Sequence, residues 1–227
     1  MTALAVAVLC WTLGAAGALL LRRRAVAALL GAAGAVAGGG AAALASLRAL
    51  VGAVQSWSVP WHVPAGALAL RMDALAAVFL LPIGTIGAVG AVYGVAYLRH
   101  HANRTSIAGS LAAYNLLLLS MALVVSAANL VLLIVAWELM ALSSWALVVS
   151  DHGDRGVRRA GIQYLVAGHL ATGALLLLAL CFAAVNGSFA VAPLARGAAT
   201  STGLLFMLAL IGFGTKAGIG PMHVWLP

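Results

Sequence analysis

The chain has 227 residues, 65% hydrophobic and only 7% charged, with a formal net charge of +8. A soluble domain of this size would leave too apolar a surface. Nucleic-acid binding does not follow from the charge either, because the basic residues cluster at the ends of apolar runs, where they mark membrane topology.

Apolar runs of about 20 residues recur along the whole length, which predicts an all-α, polytopic transmembrane bundle. The short alternating segments of a membrane β-barrel are absent. Seven segments are expected, at residues 3–21, 25–45, 74–97, 109–128, 129–149, 160–185 and 203–226, with the last one broken. Residues 1–108 read as an N-terminal three-helix region, and 109–227 as the start of a second transmembrane domain.

The first segment is followed, not preceded, by Arg22, Arg23 and Arg24. It therefore reads as a retained helix rather than a cleavable signal. The second is rich in Gly and Ala, including Gly38, Gly39 and Gly40, which suits close helix packing. Residues 55–64 read as an external loop, with Trp57 and Trp61 at the interface and His62 solvated. Arg71 and Asp73 precede the third segment, where an acid suits the helix N-terminus. Arg99, His100, His101 and Arg104 form a basic edge after it. Adjacent histidines do not face one metal on a helix. Segments four and five are joined almost directly through residues 126–129. A polar turn, 150–159, leads to the sixth segment, which carries Gln163, Tyr164 and His169. Cys10 and Cys181 lie in apolar helices and form no CxxC pair, so they read as small buried hydrophobes with no metal site.

Eight arginines fall on one side of this map and three on the other, Arg48, Arg71 and Arg196. The eight are expected in the cytoplasm, which places the N-terminus outside a plasma (inner) membrane that the chain crosses many times.

Three ionisable residues fall near the middle of three successive segments: Glu138, His169 and Lys216. A charge at the bilayer centre costs roughly 2.5–3.5 kcal/mol on insertion scales and usually marks an ion path or proton relay. Carboxylate, imidazole and amine together suit a relay, since neighbours and burial set which of them holds a proton. Ser143, Ser144, Gln163 and Tyr164 are candidates for holding water beside them. A static ion pair of Glu138 with Lys216 is the structural alternative. Directly after Lys216 come Gly218, Gly220 and Pro221, which predict a helix break, and His223 lies just past it. A break at membrane depth is tolerated where it is buried or lines a wet cavity. The chain has no Fe–S cysteine set, dinucleotide glycine fingerprint or paired haem histidines, so no cofactor and no redox centre are expected.

Trp137-Glu138-Leu-Met-Ala-Leu-Ser-Ser, followed by Gly214-Thr-Lys216-Ala-Gly-Ile-Gly-Pro221-Met-His223-Val-Trp-Leu-Pro227, resembles the antiporter-like proton-translocating subunits of complex I, membrane hydrogenases and multisubunit cation/proton antiporters. Leu70-Arg-Met-Asp-Ala-Leu fits the same pattern, and His169 in Ala-Gly-His-Leu is most similar to the hydrogenase-4 branch. The resemblance implies two inverted five-helix repeats, of which this chain holds an N-terminal part. It implies that Glu138 and Lys216 form the coupling pair, and that the partners are other membrane subunits of a hydrogenase or complex-I-like assembly. The implied function is proton translocation within a redox-driven complex. A sodium/proton antiporter subunit and a non-conducting scaffold are the alternatives.

The topology is directly testable. With Cys10 and Cys181 replaced, His62→Cys and Gly153→Cys are expected to react with an impermeant thiol reagent from opposite membrane faces. Reaction from the same face contradicts the map.

Overall fold

A computed structural model describes residues 1–21, 23–52, 54–61, 67–100, 106–193, 199–220, 223 and 225. In chain order these form α1 (Thr2–Leu20), α2 (Arg24–Val51), β1 (Gln55–Pro60), β2 (Ala67–Met72), α3 (Ala74–His100), α4 (Ile107–Ser126), α5 (Leu130–Val148), α6 (Arg155–Asn186) and α7 (Ala199–Ala217). Helices α1 to α6 are each long and apolar enough to cross a membrane. His62, His101, Pro221 and Pro227 lie outside the described residues.

The helical bundle has one addition. Residues 55–60, expected as loop, form β1 and pair antiparallel with β2, Trp57 opposite Leu70. The hairpin feeds a seam of backbone bonds at one end of the bundle. Ala128 N donates to Ala69 O, Val191 N to Ala128 O and Leu130 N to Phe189 O, at 2.8–2.9 Å. Every backbone group near a membrane needs a partner, and this seam supplies partners where the chain leaves the helices between α4 and α5. Asn129 completes it. Its side-chain oxygen accepts from Val131 N at 2.8 Å and Leu132 N at 3.4 Å, capping α5 and fixing where that helix starts.

At the other end of the bundle, Asp154 caps α6 by accepting from Gly156 N and Val157 N. The helix therefore begins at Arg155, earlier than hydropathy alone suggests, and takes Arg158 and Arg159 into its first turn. Arg158 then donates to the His152 and Gly153 carbonyls, which closes the α5–α6 turn.

One apolar core runs from α1 through α5, built on Leu4, Trp11, Leu80, Leu118 and Leu132. Its helices approach closely because small residues line the crossings. An added Cβ at Gly34 would lie 2.5 Å from the Gly14 Cα and 2.7 Å from the Cys10 carbonyl. An added Cβ at Gly38 would strike the indole of Trp11, which is fully buried. Where α1 and α2 cross, α4 inserts Asn115. Its amide donates to Gly31 O and Leu111 O, both at 2.8 Å, and its oxygen faces Gly14. A fully buried amide thus ties α2 and α4 together against α1, the kind of polar link that holds helices in lipid.

Glycines in one helix should therefore differ sharply in tolerance. Gly34→Val meets backbone on α1, whereas a Cβ at Gly40 meets nothing within 4 Å. Overpacking of this kind costs about 1–3 kcal/mol. Gly34→Val is expected to lower the unfolding midpoint in detergent and the amount of folded protein, while Gly40→Ala leaves both unchanged.

Candidate functional site

The cap at Asn129 sets the depth of Glu138, which follows about 12 Å along α5. Helix α6 packs across this part of α5 and brings His169 to it. His169 Nε2 lies 3.8 Å from Glu138 Oε2. The imidazole is also held from its own helix, where Nδ1 lies 2.8 Å from the Leu165 carbonyl. A carbonyl only accepts, so Nδ1 carries a hydrogen and Nε2 is the nitrogen that faces the carboxylate. At 3.8 Å the two atoms stand beyond direct hydrogen-bond distance.

Glu138 is 28% exposed and His169 57% exposed, so the pair sits at the side of the bundle rather than sealed inside it. The second carboxylate oxygen, Oε1, is buried with no hydrogen-bond partner among the described residues, and so is the neighbouring indole nitrogen of Trp137.

Lys216 is not central in its helix. The sequence places it near the middle of a segment reaching residue 226, but α7 ends at Ala217 and Lys216 is its penultimate residue. A cation in the last turn suits the helix dipole. The end of α7 has a specific geometry. Gly218 takes φ +72°, its N–H bonds the Thr215 carbonyl at 3.2 Å, and Ile219 N bonds Gly214 O at 3.0 Å. This pair of bonds around a left-handed glycine is a Schellman cap. The helix thus stops before Pro221 is reached, and Gly220 and His223 lie exposed in the turns beyond. The indole of Trp225 folds back to donate to Thr215 O at 2.7 Å.

The ammonium of Lys216 donates to the Tyr164 hydroxyl and lies 4.6 Å from the ring centroid. Trp225 packs edge-on against the same ring, centroids 5.4 Å apart. Glu138 and Lys216 are not joined directly by an ion pair. Each instead takes a partner from α6. The two helices do touch at this level, where Trp137 meets Phe213 edge-on with centroids 5.4 Å apart. On its other side Lys216 lines an open groove of about 840 Å³ between α3, α4, α5 and α7, walled by Phe79, Pro82, Tyr114, Trp137 and Phe213.

The remaining candidates are spread around this centre. Ser143 is buried, and its hydroxyl is used within α5, donating to Leu139 O at 2.7 Å. Ser144 is half-buried, and Gln163 is exposed on the outer side of α6. Sequence reading missed Trp137 and Trp225 as walls of the site, and Lys216 as the partner of Tyr164. One signal was present: Gly161, Tyr164, Gly168 and Ala171 fall on a single helix face, and all four are buried.

Residues 127–227 match the family described as NADH:quinone oxidoreductase/Mrp antiporter, transmembrane. Over these residues the chain carries the membrane domain of the antiporter-like subunits. It is 35% identical over 182 residues to an uncharacterized protein of Mycobacterium tuberculosis, covering 80% of this chain and 28% of that protein. It is 34% identical over 163 residues to hydrogenase-4 component B of Escherichia coli, covering 70% of this chain and 24% of the relative. The chain thus spans about a quarter of the length of these curated relatives. Its fold is similar to a chain of the membrane-bound sulfane sulfur reductase, an archaeal respiratory membrane complex. There the TM-score is 0.78 at 23% identity, over 98% of this chain and 35% of that one. The antiporter-like chain is accordingly a multi-pass membrane protein.

Proposed function

We propose that this antiporter-like chain translocates protons as part of a multisubunit membrane complex of the hydrogenase or NADH:quinone oxidoreductase kind. Glu138, His169 and Lys216 carry the proton, and His223 lies on the exit side. The observation that carries this reading is the Glu138–His169 pair, in which the Leu165 carbonyl occupies Nδ1 and leaves Nε2 facing the carboxylate. A structural ion pair needs no such arrangement of the second nitrogen, whereas a relay needs one free, titrating nitrogen. The family match over residues 127–227 supports the same reading, as does the likeness to hydrogenase-4 component B.

In this scheme a proton enters at Glu138 from the exposed His169 side, moving between Oε2 and Nε2. Lys216, at the end of α7, takes the next position. It borders the groove and the turn containing Gly218 and Gly220, where water can meet the end of the helix. Ser143 and Ser144 lie one to two turns along from Glu138 and offer oxygens to water. Residues 109–227 form the first part of the translocating domain, and 1–108 form a supporting three-helix region. The partners are further membrane subunits in the plasma (inner) membrane, with the N-terminus outside.

In the assembled complex, Glu138→Gln and Lys216→Met are each expected to lower proton translocation by at least about tenfold, since a positioned proton carrier contributes about 10²- to 10⁴-fold. Assembly should stay normal on native gels. Pumping at the wild-type rate in both variants contradicts the proposal. A translocation signal that follows sodium rather than protons would point to the antiporter alternative.

A further inference from the structure

Lys216 is bonded not to a carboxylate but to a phenol, and that choice has chemical meaning. A carboxylate can only accept, so it holds lysine best as an ammonium and offers nothing to the lone pair of the neutral amine. A phenol both accepts and donates. It can take a hydrogen bond from the ammonium, then turn its own O–H toward the lone pair of the neutral amine.

We infer that Tyr164 is the positioning residue for Lys216, holding the amine in both protonation states while it is away from Glu138. This rests on the proton-translocating reading above. Four observations support it. The Lys216 ammonium donates to the Tyr164 hydroxyl. The ring of Tyr164 is buried and fixed by the edge of Trp225, which is itself tied to Thr215 O, the residue before the lysine. Lys216 also lies in the last turn of α7, next to the exposed turns at Gly220 and His223, where water can reach the end of the helix. Finally, Glu138 Oε1 is buried and lacks a partner. It belongs to the residue after Trp137, which touches Phe213, and Phe213 shares a helix face with Lys216 three residues on.

The cycle balances simply. With the amine on Tyr164, one N–H proton passes from Nζ to a water at the exposed turn beyond α7. The phenol O–H then donates to the Nζ lone pair. A proton returning from Glu138 restores the ammonium, and the phenol becomes an acceptor again. Tyr164 keeps its own proton throughout and acts only through Lys216.

Two substitutions in the complete complex test this. Tyr164→Phe keeps the ring and its contact with Trp225 but removes the hydroxyl. A hydrogen bond to a charged group is strong enough that its loss is expected to slow proton translocation by about tenfold or more, with assembly unchanged. Replacing Tyr164 by mono- and difluorotyrosine keeps the hydroxyl and grades its acidity, and the pH profile of pumping is expected to shift stepwise along that series. If Tyr164→Phe pumps within about twofold of wild type while Lys216→Met does not pump, the inference is overturned and the proton-translocating reading stands. Fluorotyrosine profiles that all match wild type would also overturn it, because a packing role is indifferent to phenol acidity. If Lys216→Met itself pumps normally, the reading beneath the inference has failed instead.

Discussion

A carboxylate inside a bilayer has to be answered by its surroundings. The cost of roughly 2.5–3.5 kcal/mol on insertion scales is a large fraction of the stability of any domain, so Glu138 constrains the parts around it. Its depth depends on the Asn129 cap. Its company depends on α6 presenting His169 with the ring already oriented by Leu165. The α6 helix in turn depends on Asp154 to start it, on Gly187 at φ +68° to end it, and on a stripe of small residues to let it lie close to its neighbours. One such contact is tight enough that a Cβ at Gly161 would lie 2.3 Å from the Val149 side chain.

The two halves of the described structure solve different problems. Helices α1 to α4 are locked by glycine crossings and by Asn115, a fully buried amide that binds two helices by hydrogen bonds. Among the described residues, buried polar atoms without a partner occur on both sides, at Trp11 Nε1 and Asn115 Oδ1 and at Trp137 Nε1 and Glu138 Oε1. Glu138 has one oxygen engaged and one empty, His169 is largely exposed, and Lys216 rests on a phenol at the end of a helix. The proposed relay draws on the α5–α7 groups, because groups that exchange protons must be able to change partners without unpacking the bundle.

How legible all this was depended on the kind of signal. Helix positions were legible because apolar length is a strong constraint in lipid. The hairpin was not, since six exposed residues such as 55–60 carry no burial pattern, and only the alternation in Ala67–Met72 hinted at a partner. Depth placed Glu138, His169 and Lys216 together, but the pair expected from it was Glu138 with Lys216, whereas the contact observed is Glu138 with His169. Lys216 could not be placed well, because hydropathy ran the segment on to residue 226 while the glycine at position 218 ends the helix. Asn115 went unnoticed for a similar reason: a neutral polar residue in an apolar run looks incidental until the glycines facing it on two other helices are known. Ser143 donates its hydroxyl along its own helix to Leu139 O, which leaves the oxygen's lone pairs to accept.

The central claim is that Glu138 and His169 share a proton inside the membrane. Infrared difference spectra of the assembled complex across a pH titration test it most directly. The account predicts a protonated-carboxyl C=O band that disappears in Glu138→Gln, that rises as an imidazolium ring band falls, and that shifts its midpoint in His169→Phe. A Glu138 band that titrates identically with and without His169, or a carboxylate that never takes up a proton across the range in which the complex pumps, would contradict it.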